Sequence, residues 1–298
     1  MPDLRAATRG SPLALWQTRH VAALLGRGVE EVVVSTVGDR NTDVPIHSMG
    51  GKGVFVKEVQ AAVLDGRADF AVHSAKDLPA VTPDGLVLVA VPTRADARDA
   101  LVGSSWADLP LGAHVATGSV RRRAQMAWHR PDLVFSELRG NIQTRLGKLE
   151  SEGFDAIVMA AAAIDRLELV ITSTVDRLEP SVIVPQVAQG ALAIECRSDD
   201  VDTIATLVAV EDAAARRVVD AERAFLSELG GDCELPAGAN AYRTADGDLA
   251  MVGVLSSLDG RRLLREARVG DDPERLGRSI ARYLLDDLGG RSLLENTP

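Results

Sequence analysis

In the stretch LGGDCELPAGA (229–239) a cysteine stands among turn residues. Gly230 and Gly231 precede Cys233, Pro236 and Gly238 follow it, and Asp232 and Glu234 flank it. A core cysteine has apolar neighbours, as Cys196 has in ALAIEC, and behaves as a small hydrophobe. A thiol on a polar turn has two readings: a nucleophile or covalent anchor, or a stray loop residue without chemistry. The five histidines show no metal-ligand spacing, neither HExxH nor CxxC occurs, and no metal is expected. GGKG (50–53) lacks the GxxxxGK[ST] frame of a nucleotide phosphate loop.

A second set of residues is basic. Arg9 follows the strand-like LRAAT, Lys52 sits in the glycine loop and Lys76 follows DFAVHS. Arg121, Arg122 and Arg123 open a helix behind Ser119, while Arg139 stands in LRGN and Arg145 one turn into the next helix. In open α/β sheets, ligands bind beyond the carboxyl ends of the strands. Helix N-termini there offer free N–H groups, and arginine forks bind carboxylates through paired hydrogen bonds. Each arginine alone is equally a solvated surface residue. Their recurrence at separate strand-to-helix junctions points to a ligand with several negative groups and leaves that ligand unnamed. Asp77, in HSAKDLP, is the acid among these bases. It is either a fixed carboxylate that stabilises a cation forming on a substrate, or half of a weak surface ion pair with Lys76.

The elements that must hold these residues follow from periodicity. Strands are expected at 4–8, 32–37, 69–74 and 87–91, with helices at 12–25 and about 54–65. The polar segment 92–100 reads as a hinge. Beyond it come strands at 113–118 and 133–138, helices at 119–130 and 141–153, a strand entering a helix over 154–163, and a loop and strand over 185–197. The pattern is two mostly parallel α/β lobes with a cleft between them. The last third differs, with a long helix at 212–229, an antiparallel meander with Asp-Gly turns at 246–247 and 259–260, and a closing helix at 273–288. The chain has 298 residues, 46% hydrophobic and 26% charged, a soluble globular balance. No apolar run reaches membrane-span length and no export signal is visible, so a cytoplasmic setting with both thiols free is expected. A net charge of −10 argues against nucleic acid as a partner.

Seven stretches together resemble the porphobilinogen deaminase family: ATRGSPLALWQ (7–17), GGKGVFVKE (50–58), ADFAVHSAKDLP (68–79), SVRRRAQ (119–125), LRGNIQTRL (138–146), QGALAIECR (189–197) and GGDCELPAGA (230–239). The resemblance implies an enzyme, a transferase of porphyrin and haem biosynthesis. It would join four porphobilinogens head to tail, release ammonia at each step and yield hydroxymethylbilane. It implies a dipyrromethane cofactor held by a thioether to Cys233, on which the chain grows. A thiolate suits the electron-poor methylene carbon left by ammonia loss. Each pyrrole brings an acetate and a propionate, which gives the basic residues their purpose.

By the same resemblance Asp77 is the catalytic carboxylate. Lys76, Arg121, Arg122, Arg145, Ser119 and Thr117 hold the cofactor, and Arg9, Ser11, Arg139, Gln189 and Lys52 bind substrate, with the loop 42–53 as a mobile cover. The implied fold is two periplasmic-binding-protein-like (type II) α/β lobes, residues 1–92 with 191–208 and residues 98–184. A C-terminal α+β domain (213–298) with a three-stranded antiparallel sheet carries the cysteine. The protein is expected to be a monomer. Two departures stand out. Gly118 occupies a position where the family often has a hydroxyl, which would remove one carboxylate contact, and Asp232 precedes Cys233 where glycine is common. Arg122→Ala is expected to weaken cofactor attachment while leaving thermal stability near wild type. The rival readings are a non-catalytic two-lobed anion-binding protein, a thiol hydrolase without its paired histidine, and a nucleic-acid binder.

Overall fold

The computed structural model describes residues 4–40, 53, 55–230 and 235–294. The chain divides into two compact units, residues 1–95 with 190–217, and residues 96–189 with 218–298. In chain order the first segment holds β1 (Leu4–Arg9), α1 (Pro12–Leu25), β2 (Val29–Val34), α2 (Val37–Arg40), α3 (Lys57–Leu64), β3 (Phe70–Ser74) and β4 (Leu86–Ala90). Then come β5 (Asp99–Gly103), β6 (His114–Ala116), α4 (Val120–His129), β7 (Val134–Ser136), α5 (Ile142–Ser151), β8 (Ala156–Ala160), α6 (Ala161–Arg166) and β9 (Thr174–Leu178). The chain returns through β10 (Leu192–Arg197) and α7 (Val201–Leu207). It closes with α8 (Ala213–Glu228), β11 (Ala237–Arg243), β12 (Leu249–Ser256), β13 (Leu263–Gly270), α9 (Pro273–Arg282) and α10 (Arg291–Leu294).

The first sheet has the order β2-β1-β3-β10-β4, with β1 parallel to β2 and β3 and β10 antiparallel to β3 and β4. The second has the order β7-β6-β8-β5-β9, with β6 parallel to β7 and β8 and β5 antiparallel to β8 and β9. The two pairing schemes are the same: three parallel strands, one reversed strand, then an edge strand. Each lobe's sheet is mostly parallel, as the sequence suggested, with one reversed strand.

Both faces of each sheet are covered. Phe70 and Val72 of β3 pack on one face with Ile194 and Leu207, while Ala71 packs on the other with Val59 and Val63. In the second sheet Val115 and Val158 share a face with Met126, and Ile157 and Met159 share the opposite face with Leu138. Strands buried on both sides read as continuous apolar runs, which is why β3 and β8 stand out in the sequence.

Three strand assignments needed the structure. β2 lies at 29–34 and not 32–37, because Val29–Val34 pairs one to one with Leu4–Arg9 and its edge position allows Glu30 to face solvent. Thr36 then turns the chain, donating its N–H and hydroxyl to Asp39 at 3.2 and 2.7 Å. β5 hides behind its first residue, since Asp99 reads as the end of a polar hinge. β9 (TVDRL) is a largely exposed edge strand with little apolar signal.

The third domain is the expected antiparallel meander, in the order β11-β12-β13. Val252 and Val254 of β12 pack on Val184 of the preceding lobe, and Gly253, facing the other way, lies against Phe225 and Ile280. A Cβ at Gly260 would come within 2.5 Å of the Ala124 carbonyl, and its φ of 70° favours glycine as well. The closing helix changes pitch after Arg282, where Tyr283–Asp287 forms a π turn. Among the described residues no helix is long and apolar enough to cross a membrane.

Candidate active site

In the first unit the carboxyl ends of β1 and β3 carry the expected residues. Ser11 caps α1, its hydroxyl accepting the Ala14 N–H at 3.3 Å, and Pro12 opens the helix. The Arg9 guanidinium forms a two-atom ion pair with Asp39 and lies 4.2 Å over the Phe55 ring. Burial pushes the Asp39 carboxyl up, but hydrogen bonds from Arg9 and Thr36 outweigh it and hold it below the ordinary carboxylate range. Arg9 is therefore fixed in direction by a carboxylate that is itself fixed. Lys76 and the half-buried Asp77 lie in a 3-10 turn (Ala75–Asp77) directly after β3. That turn is pinned by the Ala75 N–H bonding the Ala191 carbonyl at 3.0 Å. Ser74, beside it, accepts from the buried Gln17 at 2.8 Å.

The second unit gathers the rest at the carboxyl edge of its own sheet. Thr117 follows β6, and its hydroxyl accepts the Ser119 N–H at 3.2 Å. Ser119 caps α4 by accepting the Arg122 N–H at 3.4 Å. Asn141 caps α5, and Arg145 folds back to bond the Gly140 carbonyl at 2.8 Å. Arg139 follows β7 on the same edge. Two helix N-termini and several cations therefore share one edge, a favourable setting for carboxylates.

Arg121 and Arg122 are not surface arms. They are 2% and 6% exposed and converge on Asp99, which is 0% exposed at the start of the reversed strand β5. Arg121 Nη1 bonds Asp99 at 2.8 Å and the Val184 carbonyl at 2.8 Å. Arg122 Nε bonds Asp99 at 2.9 Å, its Nη1 bonds the Val158 carbonyl at 2.9 Å, and Gln189 Nε2 bonds Asp99 at 2.9 Å. Burial would raise the Asp99 carboxyl, yet the two guanidiniums keep it far below the ordinary range. Burial lowers the Arg122 guanidinium, and Asp99 offsets this only in part. Arg121 Nε is a buried donor without a hydrogen-bond partner among the described residues. The expectation that Arg122→Ala leaves stability untouched is corrected by this burial, since its loss would leave Asp99 undercompensated.

Three further residues belong to this description and escaped the sequence reading. Asp99 and Asp39 look like loop acids until the fold sets arginines against them. Arg166 closes α6, which begins directly after β8, and is only 9% exposed. Burial lowers its guanidinium to about 10. Its signal was an arginine six residues past a strand end in AAAAIDR. At Gly118, a Cβ would stand 2.9 Å from the Leu138 carbonyl and 3.4 Å from Glu137 Oε2, so this backbone accommodates glycine in close contact. Cys196 is a buried free thiol in β10, raised to about 11 by burial. Cys233, its neighbour Asp232 and Lys52 lie outside the described residues, as do residues 42–52 of the expected cover loop. The structure does bring α8 to its end at Glu228, five residues before Cys233, and Gly230 follows with φ 70°. No group of acidic, histidine or cysteine side chains suited to a metal occurs among the described residues.

Comparison with known proteins identifies the family. The family model described as "Porphobilinogen deaminase, dipyromethane cofactor binding domain" matches residues 4–205, and that described as "Porphobilinogen deaminase, C-terminal domain" matches residues 217–286. A porphobilinogen deaminase from Roseiflexus castenholzii is 45% identical, covering 98% of this chain and 98% of the relative. One from Bacillus subtilis is 40% identical over 99% of this chain and 97% of its own. Among solved structures, a periplasmic binding protein from Brucella ovis with glutathione bound aligns with a TM-score of 0.41 and 13% identity, over 76% of this chain and 69% of its own. With both family domains matched in order and relatives this similar from end to end, the chain belongs to the porphobilinogen deaminase family.

Proposed function

We propose that this chain condenses four porphobilinogens head to tail into hydroxymethylbilane, building the product on a dipyrromethane held by a thioether to Cys233. The observation that carries the residue roles is that both sheets present basic and hydroxyl side chains at the carboxyl ends of their parallel strands, with Asp77 at one of those ends. The donor set fits an oligopyrrole acid. Guanidiniums pair with carboxylates in parallel hydrogen bonds. Lys76, Arg121, Arg122, Arg145, Ser119 and Thr117 would hold the cofactor. When bound, the dipyrromethane supplies the nucleophilic pyrrole carbon for the first condensation.

The chain's own residues divide the remaining work. Arg9, Ser11, Arg139 and Lys52 bind the acetate and propionate of incoming porphobilinogen. Arg9 does so with its direction set by Asp39, and the buried Gln189 acts through its bond to Asp99. Asp77, held in its short turn, accepts the pyrrole N–H and stabilises the cation left when ammonia departs. Holding such charge with fixed groups avoids reorganisation at the moment of reaction.

Two measurements test this. The intact mass of purified protein should exceed the sequence mass by two linked pyrroles, and Cys233→Ser should lack that increment. An unmodified yet fully active wild type would sink the tether. Asp77→Ala should keep its fold and lose about two or more decades of turnover. Near-normal turnover would remove Asp77 from its role.

A further inference from the structure

The segment from Val184 to Gln189 runs between the third domain and the Asp99 cluster, and both sides hold it by buried hydrogen bonds. On the third-domain side, the Ala239 N–H bonds the Pro185 carbonyl at 2.9 Å. Glu222 of α8, 0% exposed, accepts the Ala188 N–H through Oε2 at 2.7 Å and the Ala241 N–H of β11 through Oε1 at 2.8 Å. Ala188 has φ 58°, a left-handed conformation that an alanine holds only when its surroundings impose it. On the other side, Gln189 donates to Asp99 at 2.9 Å and to the Ala97 carbonyl at 2.8 Å, while the Val184 carbonyl receives Arg121 at 2.8 Å.

We propose that Glu222 is a positioning residue for the Arg121–Arg122 pair. By gripping the Ala188 N–H it sets the strained turn that aims Gln189 at Asp99, and Asp99 in turn orients both guanidiniums. This rests on the function proposed above, in which those arginines hold the cofactor. A carboxylate suits the place because two backbone N–H groups face it and each needs an acceptor. A glutamine there has one acceptor oxygen and turns an NH2 toward one of the two donors. The strap then loses either its anchor on β11 or its hold on Ala188. Because α8 ends shortly before Cys233, the helix leading to the cysteine also sets the direction of the arginine pair.

The test follows cofactor loading and not turnover. Apoprotein is mixed with porphobilinogen, and growth of the two-pyrrole mass adduct is timed by intact mass spectrometry beside a thermal melt. Glu222→Gln and Gln189→Leu should each slow adduct growth about tenfold. Their double variant should load no more slowly than the slower single variant, because both cut the same line. Combined with Arg139→Ala, which stands outside that line, Glu222→Gln should multiply. Multiplied effects of Glu222→Gln and Gln189→Leu would overturn the proposal and leave Glu222 a purely structural residue, however far the melting temperature falls. If Glu222→Gln does not fold, Gln189→Leu with Arg122→Lys carries the same cycle: a shared effect supports the relay and multiplied effects overturn it. A wild-type apoprotein that gains no adduct sinks the proposed function itself, and this inference with it.

Discussion

Arg122, proposed above to hold the cofactor, also bears on stability. It is buried against Asp99, and Asp99 keeps its charge only because two guanidiniums face it. Arg122→Ala is expected to cost about 3 kcal/mol, the low end for a broken buried pair because Arg121 remains. A denaturant midpoint unchanged from wild type would show that the pair carries no such weight. Asp99→Asn should cost at least as much, since it leaves two buried guanidiniums facing each other without a counter-charge. The cysteines give a second check. Cys196 is buried and its thiol is raised, so it should resist alkylation near pH 8 until the protein unfolds. Cofactor-loaded wild type should then take up one alkyl group on unfolding and none before, and two after unfolding would mean that Cys233 was free. Residue types and strand-end spacing made Asp77, Arg9 and Arg139 legible in the sequence. Asp99 and Asp39 were not, because their arginine partners lie far away along the chain, and Arg166 was not, because its burial shows only in the fold.

The segment leading into β5 carries an acid-sensitive ion-pair cluster. Asp96 precedes β5 and pairs with Arg98 at 2.8 Å and with Arg177 of β9 at 2.7 Å, while Arg98 also reaches Glu179 at 2.6 Å. Burial pushes the Asp96 carboxyl up, but hydrogen bonds from Arg98 and Arg177 outweigh it and bring it to about 2. A carboxyl lowered in the folded state stabilises that state above its unfolded value, roughly pH 4, and the gain is lost as pH falls through about 2. Wild type should therefore lose melting temperature between these limits, and Asp96→Asn should show a shallower fall across the same window. Parallel acid limbs in the two proteins would place the sensitivity elsewhere. In the sequence this segment, 92–100, reads as a plain polar hinge, which masks the start of β5 at its end. A strand whose first residue is a buried aspartate breaks the apolar pattern that marks its neighbours. β3, β8 and the three strands of the last domain were legible because their partners bury or alternate them regularly.

At the scale of the whole molecule, the two sheets share one pairing scheme but differ in where their reversed strand comes from. β5 belongs to the continuous segment 96–189 of its own unit, whereas β10 completes the first sheet from residues 192–197, after the second lobe has been traversed. β10 sits between β3 and β4, so it is an interior strand of that sheet. A ribosome therefore releases the first lobe with a gap in its middle and fills that gap only after roughly a hundred more residues have emerged. Nascent chains arrested shortly after residue 190 should stay sensitive to protease through β3 and β4, and chains long enough to expose residue 217 should become resistant. Early resistance in the shorter chains would mean that the lobe closes without its late strand.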